Sequence, residues 1–329
     1  MKKYIFNDNT KLIFVKENNI LLESKKGKEK AKLDYSFYEK LYNTKKEISI
    51  FKDNGEIFTK KEMNFLINKS IVKEVDEITL KYLKTKYEKF QIYLGNIIEN
   101  ANKVDYIEIN KNKRILFIGA GGICTAMIDY LISSGFNKYG IVDFDVVEKS
   151  NFNRQYKYKK NDIGSLKVES IKKNLIEQYD DLSIKIYNKK IEIETDLLSI
   201  VNDYDPDFII CAADTPAYLI NKYIAEVCLL KSIPCIFGGV GQNSGVFGPL
   251  LCDKKSFKKY LTRLNFVLSS IKGIFPCKGS FGITNSLIAN YMANDVIFYL
   301  MKQYKKVHSL NKECTIDFNR NDIYEREKY

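Results

Sequence analysis

The sequence is poor in the residues that most often carry acid–base and metal chemistry. It contains one histidine, His308, and seven cysteines, none of which forms a Cys-x-x-Cys pair. A structural zinc site needs about four Cys or His ligands in paired spacings, and a Ser-His-Asp triad needs a placed histidine. We therefore expect no zinc and no histidine-based triad. Because most of the cysteines lie in apolar runs, we expect reduced, buried thiols.

Long apolar runs are also missing. No segment reaches the roughly 18 apolar residues that a membrane span requires. The first residues, MKKYIFNDNTK, are basic but lack the apolar centre of a signal peptide. We expect a cytoplasmic protein that has no membrane partner.

The charge is unbalanced, at +12 from 53 basic and 41 acidic residues. A basic protein can bind nucleic acid when its lysines and arginines form a patch. Here the lysines are scattered along the whole chain among acidic residues, so we expect no nucleic-acid partner. The charge would also favour a polyanionic nucleotide.

Two regions with different patterns are present. Residues 1–90 contain an alternating segment (11–24) that predicts a β-hairpin, and Leu33, Phe37 and Leu41 have helical spacing. A capping box of Thr59 and Glu62 precedes another helix. These short elements predict a small winged-helix-like α+β domain over residues 1–90, followed by a connector over 91–113.

From residue 114 to 329 buried strands alternate with helices. This order predicts an α/β fold with a doubly wound, mainly parallel sheet of Rossmann type. In such sheets ligands bind at the carboxyl ends of the strands. Three residues that follow strands, Gly119, Asp143 and Asp214, are therefore candidates for a shared site.

The turn after the first of these strands reads RILFIGAGGICTAM. Gly119 and Gly121 fit the G-x-G-x-x-G dinucleotide pattern, but Cys124 stands at the third glycine and Gly122 is additional. A glycine-rich strand-to-helix turn brings backbone N–H groups close to phosphates. The motif alone leaves open an altered NAD site or a nucleotide site of another kind.

The segment VDFDVVEKSNFNRQ follows the second strand. Asp143 stands where a carboxylate accepts hydrogen bonds from ribose hydroxyls, although a strand-end cap would also explain it. Asp145, Asn151, Arg154 and Gln155 continue the polar loop. An arginine here can reach phosphate oxygens, whereas a surface ion pair is the simpler explanation of Arg154 taken alone.

Two further charges follow. Lys167 stands at a helix start, which opposes the helix dipole and favours an anionic ligand nearby. Asp214 ends the apolar strand DFIICAAD, where a carboxylate can hold Mg²⁺ on phosphates or simply cap the strand. A phosphate loop, a ribose acid, two cations and a metal carboxylate together suit a nucleoside triphosphate with Mg²⁺ better than NAD.

The combination GAGGIC, DFD, SNFNRQ, GSLK and CAAD, in that order, resembles the ATP-dependent adenylating domain of the ThiF/MoeB type in the ubiquitin-activating-like superfamily. The resemblance implies an enzyme that joins AMP to a C-terminal carboxylate and releases pyrophosphate. It also implies roles for particular residues. ATP would be bound by Gly119, Gly121, Gly122, Asp143, Asp145, Asn151 and Gln155, with Arg154, Lys167 and Asp214 catalytic and Asp214 holding Mg²⁺.

Within this superfamily the chain is most similar to the microcin C-type peptide adenylases, which join an N-terminal peptide clamp to the adenylating domain. That likeness implies a short, ribosomally made precursor peptide as substrate, in the biosynthesis of a modified peptide, and a homodimer. Two alternatives stay open. The substrate could be a sulfur-carrier protein ending in Gly-Gly, or the chain could be a catalytically silent peptide-binding partner.

The sequence departs from the family pattern in three places. Cys124 replaces a glycine, the two zinc-binding Cys-x-x-Cys pairs are missing, and a segment that carries arginines toward the partner subunit reads Lys86-Tyr87-Glu88-Lys89. Lysine keeps the charge but loses the bidentate fork. In a Gly- and Lys-rich loop, Cys277 is read as an ordinary thiol, with a thioester role as the alternative.

We expect Cys124 to be a packing substitution. Replacement by the family's glycine, Cys124→Gly, should leave adenylation roughly intact, because cysteine and glycine are both small enough for a helix that packs closely on a strand. The measurement is ATP–pyrophosphate exchange with a candidate substrate. Loss of exchange in a variant that stays folded would give Cys124 a chemical role instead.

Overall fold

The computed structural model describes residues 2–24, 27–47, 50–99, 101–270, 279–320 and 322–329. It divides into two compact units, Met1–Asp105 and Tyr106–Tyr329. Within the described ranges, no helix combines the length and the apolar character that crossing a membrane demands.

The N-terminal unit mixes short strands and helices. Its elements are β1 (Lys3–Phe6), β2 (Thr10–Val15), β3 (Asn19–Ser24), β4 (Gly27–Lys32), α1 (Tyr35–Glu47), β5 (Phe51–Lys52), α2 (Lys60–Asn68), β6 (Val72–Glu74), α3 (Glu77–Tyr82) and α4 (Glu88–Ile97). They form two three-stranded antiparallel sheets, ordered β5-β1-β6 and β2-β3-β4. Aromatic and aliphatic side chains such as Phe37, Leu41 and Phe58 fill its core.

Local signals in this unit agree with the structure. The hairpin predicted over 11–24 is the β2–β3 pair, in which Thr10 lies opposite Ser24. The capping box at the start of α2 is also confirmed. The Thr59 backbone N–H donates to the Glu62 carboxylate at 2.6 Å, and the Glu62 N–H donates to the Thr59 hydroxyl at 3.3 Å.

The C-terminal unit is an α/β fold. Its elements are α5 (Tyr106–Lys111), β7 (Arg114–Ile118), α6 (Gly122–Ser133), β8 (Lys138–Val142), α7 (Lys167–Gln178), β9 (Ser183–Tyr187), α8 (Glu194–Tyr204), β10 (Phe208–Cys211), α9 (Leu219–Lys231), β11 (Cys235–Val240), β12 (Ser244–Leu251), α10 (Lys254–Ser270), α11 (Gly282–Leu300), β13 (Lys312–Asp317) and β14 (Asp322–Lys328). Eight strands form one sheet, ordered β14-β13-β12-β11-β10-β7-β8-β9. The five strands from β11 to β9 are parallel and the other three antiparallel, which confirms the predicted mainly parallel sheet.

Helices α8 and α10 and strands β13 and β14 were missing from the sequence interpretation. Helix α8 buries Leu197, Ile200, Val201 and Tyr204, whose helical spacing was a usable signal. The C-terminal hairpin of β13 and β14 is harder to see, because β14 (DIYEREK) is mostly exposed and its charged residues hide any alternation. It is held by pairing with β13.

The strand order places the expected site. The chain runs outward from β7 to β8 and β9, then returns to place β10 on the other side of β7. Parallel sheets bind ligands in the crevice at such a reversal, beyond the carboxyl ends of the strands. Gly119 and Asp214, which follow β7 and β10, therefore border the same crevice.

Helix α11 is fixed by one buried carboxylate. Asp295 is fully buried and accepts hydrogen bonds from the His308 N–H at 2.8 Å, the Ser309 N–H at 2.8 Å and the Ser309 hydroxyl at 2.6 Å. These bonds tie the helix to the segment that leads into β13.

Asp295→Ala should lower the free energy of unfolding by roughly 3 kcal/mol, because it leaves several buried donors without an acceptor. Asp295→Asn, which keeps one acceptor oxygen, should lose less. Urea unfolding of both variants measures the difference. A loss below about 1 kcal/mol for Asp295→Ala would mean that α11 is held mainly by its apolar contacts.

Candidate functional site

The glycine loop begins at a position that only glycine can occupy. Gly119 has φ of +100°, and a Cβ there would lie 2.8 Å from the backbone of Ala212 at the end of β10. Its N–H donates to the Val142 carbonyl at 2.8 Å, and the Ala212 N–H donates to the Ile118 carbonyl at 2.8 Å. The loop is therefore attached to the two strands on either side of β7.

Ala120, the next residue, is held on both sides. Its N–H donates to the Asp143 carboxylate at 2.7 Å, and its carbonyl accepts from the Tyr158 hydroxyl at 2.7 Å. The other Asp143 oxygen accepts from the Asp145 N–H at 2.8 Å. Asp143 thus supports the loop as a strand-end cap would, and its contact with a ribose remains a prediction.

Burial raises the pKa of the Asp143 carboxyl, because desolvation outweighs the neighbouring Lys167 charge and the two amide hydrogen bonds, all of which act to lower it. The carboxyl consequently takes up a proton at a higher pH than an exposed aspartate would. Titratable groups whose pKa is shifted by burial are common in functional sites.

Gly121 and Gly122 face different surroundings. Apart from its neighbours in the chain, no described residue has an atom within 4 Å of the point where a Cβ of Gly121 would stand, so this side of the loop is open. A Cβ on Gly122 would lie 2.4 Å from Oδ1 of Asn285, a residue of α11. Gly121 keeps the approach to the helix N-terminus free, whereas Gly122 makes room for α11.

The polar loop that follows β8 is internally bonded. The Asn151 side-chain oxygen accepts from the Glu148 N–H at 3.0 Å. Arg154 donates to the Ser150 carbonyl at 3.0 Å and to the Asn153 side chain at 2.8 Å, and no carboxylate within the described ranges pairs with it. The surface ion pair considered for Arg154 is therefore not formed.

Gln155 is buried in the same loop. Its Oε1 has no hydrogen-bond partner among the residues that the structure describes. A buried amide oxygen without a donor is costly unless a ligand or water supplies one. This orphaned atom fits the expectation that a ligand binds beside the loop.

Lys167 has a partner within the chain. Its buried ammonium lies 2.7 Å from the Asp145 carboxylate, and its N–H donates to the Asp145 carbonyl at 2.9 Å. Asp145 therefore already balances the charge that opposes the α7 dipole. The position of Lys167 at a helix start can thus be explained without an anionic ligand.

Asp214 is exposed at the end of β10 and accepts from the Thr215 hydroxyl at 3.1 Å. No cluster of three or more His, Cys, Asp or Glu side chains suited to a metal occurs in the described ranges. Mg²⁺ in nucleotide sites is typically held by one or two carboxylates together with the phosphates. A single accessible carboxylate fits an ion delivered with a nucleotide, and not a metal site formed by protein alone.

The start of α11 closes on the polar loop. A Cβ on Gly282 would lie 1.8 Å from the Tyr156 hydroxyl, and Asn153 donates to the Ser280 carbonyl at 2.7 Å. The Asn285 side chain donates to the Phe281 carbonyl at 2.7 Å. Sequence reasoning missed Asn285 and Tyr158, because neither stands in a recognisable spacing and only tertiary contacts bring them to the glycine loop.

A charged network lies between helix α10 and the C-terminal hairpin. Arg263 of α10 pairs with Glu313 of β13 at 3.1 Å and with Glu327 of β14 at 2.5 Å, and it donates to the Tyr329 hydroxyl at 2.7 Å. These contacts join α10 to the C-terminal hairpin.

Three other residues were singled out in the sequence. Lys86 lies over the Tyr87 ring, Lys89 is almost fully exposed, and Cys277 lies outside the described residues.

Residues 96–328, most of the chain, match the ThiF family. The chain belongs to that family. A probable molybdopterin-synthase adenylyltransferase of Gracilaria tenuistipitata var. liui is 30% identical over 67% of this chain and 65% of its own length. The adenylyltransferase and sulfurtransferase UBA4 of Scheffersomyces stipitis is 40% identical over 36% of this chain and 26% of its own. The match thus spans less than two thirds of these relatives.

Solved structures resemble the fold over the whole chain. Escherichia coli MccB crystallised with AMPCPP and the peptide MccA is 22% identical, with a TM-score of 0.69 over 100% of this chain and 97% of that one. MccB with ATP is 23% identical, with a TM-score of 0.68 over 99% and 97%. The structure of PaaA is 18% identical, with a TM-score of 0.67 over 98% and 99%. This ThiF protein therefore shares their fold from end to end.

We expect Gly→Ala substitutions at the two adjacent glycines to affect stability differently. Gly121→Ala should change the free energy of unfolding by about 1 kcal/mol or less, because its Cβ meets open space. Gly122→Ala should destabilise by about 1–3 kcal/mol, since its Cβ overlaps Asn285. Thermal or urea unfolding separates the two effects.

The matched control for Gly122 is the double variant Gly122→Ala with Asn285→Ala. Removing the overlapping side chain should make the double loss smaller than the sum of the single losses. Additive losses would show that the methyl group added at position 122 clashes with atoms other than those of Asn285.

Proposed function

We propose that the protein is an adenylyltransferase of the ubiquitin-activating-like superfamily that transfers AMP from ATP to the C-terminal carboxylate of a short ribosomally made peptide. The proposed role is in the biosynthesis of a modified peptide. The observation that carries it is the likeness to MccB, a protein crystallised with both a nucleotide analogue and a peptide, which includes the N-terminal unit as well as the ThiF-family part.

The proposed reaction requires little proton transfer by the protein. A peptide carboxylate is ionised near pH 7 and can attack the α-phosphate directly. The enzyme must then position the reactants and stabilise charge on the phosphates. A chain with one histidine can perform both tasks.

The described side chains divide this work. Arg154, which pairs with no carboxylate among the described residues, is the proposed cation for the phosphate oxygens. Lys167 contributes positive charge behind Asp145, and Asp143 holds the loop and accepts from the ribose. Asp214 would hold Mg²⁺, which when bound neutralises charge on the phosphates. Asn151 and Gln155 complete the proposed ATP contacts.

Adenylation of a sulfur-carrier protein is the second candidate, favoured by the relatives named for molybdopterin synthase and sulfur transfer. The N-terminal unit argues for the peptide. Those matches cover 36–67% of this chain, whereas the MccB likeness covers all of it.

ATP–pyrophosphate exchange tests both candidates. Exchange should appear with a short peptide encoded beside this gene and disappear on adding a chelator. Arg154→Ala should lower it on the order of 100-fold, since a charged contact to the phosphates is lost, whereas Lys231→Ala, which removes an exposed charge at the last residue of α9, should not. Exchange only with a Gly-Gly-ending carrier would replace the peptide as substrate. If the folded protein binds the peptide but shows no exchange with either substrate, it would instead be a catalytically silent peptide-binding partner.

The proposal includes a homodimer and a cytoplasmic location. The dimer follows the likeness to microcin C-type enzymes, and light scattering measures it directly. The six cysteines that the structure describes are free and five of them are buried, which suits a reducing compartment.

A further inference from the structure

We infer that Tyr158 is a positioning residue, which aims the Gly121 N–H at a phosphate oxygen of the nucleotide. The inference rests on the proposed ATP site. It assigns a role to a side chain that lies outside the glycine motif and outside the motif of polar residues ending at Gln155.

The argument begins with the peptide bond between Ala120 and Gly121. A trans peptide is planar, and its C=O and N–H point in opposite directions. Tyr158 donates to the Ala120 carbonyl at 2.7 Å and is itself buried, with 5% of its surface exposed. Fixing this carbonyl toward the interior therefore fixes the Gly121 N–H away from it.

The Gly121 N–H points to a side where a ligand can reach it. No acceptor for this N–H occurs among the residues that the structure describes, and the space beside the Gly121 Cα is open for 4 Å. Gly121 is also the N-cap of the 12-residue helix α6, whose dipole favours an anion at this end. A phosphate oxygen supplies both the acceptor and the charge.

The neighbouring peptides have other supports. The Gly119 N–H and the Ile118 carbonyl are bonded to strands β8 and β10, and the Ala120 N–H is bonded to Asp143. The Gly121 carbonyl accepts from the Thr125 N–H at 3.0 Å, within the first turn of α6. In the described structure, the hydrogen bond from Tyr158 supports the peptide between Ala120 and Gly121.

The Tyr158 hydroxyl is suited to act as a permanent hydrogen-bond donor. Burial raises the pKa of its hydroxyl, and the nearby Cys124 and Asp143 raise it further, so the phenol keeps its proton at any physiological pH. Phenylalanine in its place would leave the Ala120 carbonyl buried without a donor. That peptide would then be free to rotate, which turns the Gly121 N–H away from the phosphate.

The chain contains a matched control. Tyr139 is fully buried in the same unit and donates its hydroxyl to the Phe136 carbonyl at 2.9 Å. Tyr139→Phe removes the same kind of bond as Tyr158→Phe, at the start of β8 rather than at the glycine loop. A general loss of stability should affect both variants alike.

The experiment measures the Kd for ATP with Mg²⁺ by calorimetry, without peptide, and the melting temperature of each variant. Tyr158→Phe should raise the Kd on the order of tenfold, as expected for one lost hydrogen bond. Tyr139→Phe should leave the Kd unchanged while lowering the melting temperature by a similar amount. In exchange assays the KM for the peptide should not change in either variant.

The outcomes separate this inference from the proposed function. If wild-type protein binds ATP and Tyr158→Phe binds it equally well, Tyr158 is only structural and the inference is wrong. Equal loss of ATP affinity in both variants would also overturn it, because the effect would follow stability. If the folded wild-type protein binds no ATP, the proposed function fails first.

Discussion

The hydrogen bond from the Ala120 N–H to the half-buried Asp143 carboxylate joins the end of β7 to the end of β8. A carboxylate placed there must be compensated, since burying an unpaired charge is expensive. Two backbone amides and the nearby Lys167 compensate part of this cost, and Lys167 in turn is paired with Asp145. The loop, the second strand and the start of α7 are thereby connected through one anionic group.

Close packing against neighbouring elements determines the conformation of the rest of the glycine loop. Gly119 lets the loop pass against Ala212, and Gly122 lets α11 approach with Asn285. The buried Asp295 holds the other end of α11 to the segment before β13. The open face at Gly121 therefore exists because neighbouring elements are held at fixed distances around it, and not because the loop is loosely packed.

Motif reading predicted the sheet class and the positions of the loops well, because both depend on local signals. Apolar runs of strand length alternate with helical periods, and polar residues follow the strands at their carboxyl ends. It could not show which charged side chains already have partners within the chain. Lys167 was taken as a sign of an anionic ligand, whereas Asp145 already balances it. Gly122 was predicted to bind ATP, and that contact stays a prediction; the structure adds that its lack of a Cβ makes room for Asn285.

The sequence alone determined the fold class, the family motifs and the order of the candidate residues, since these follow from periodicity and from residue types at short spacings. The tertiary structure decided which of those residues already have partners and which groups remain free. It paired Lys167 with Asp145, placed no carboxylate of the described residues beside Arg154, and brought Tyr158 and Asn285 to the loop. These outcomes depend on contacts between residues up to about 160 positions apart, and no local pattern records which distant side chain will fill the space beside a glycine.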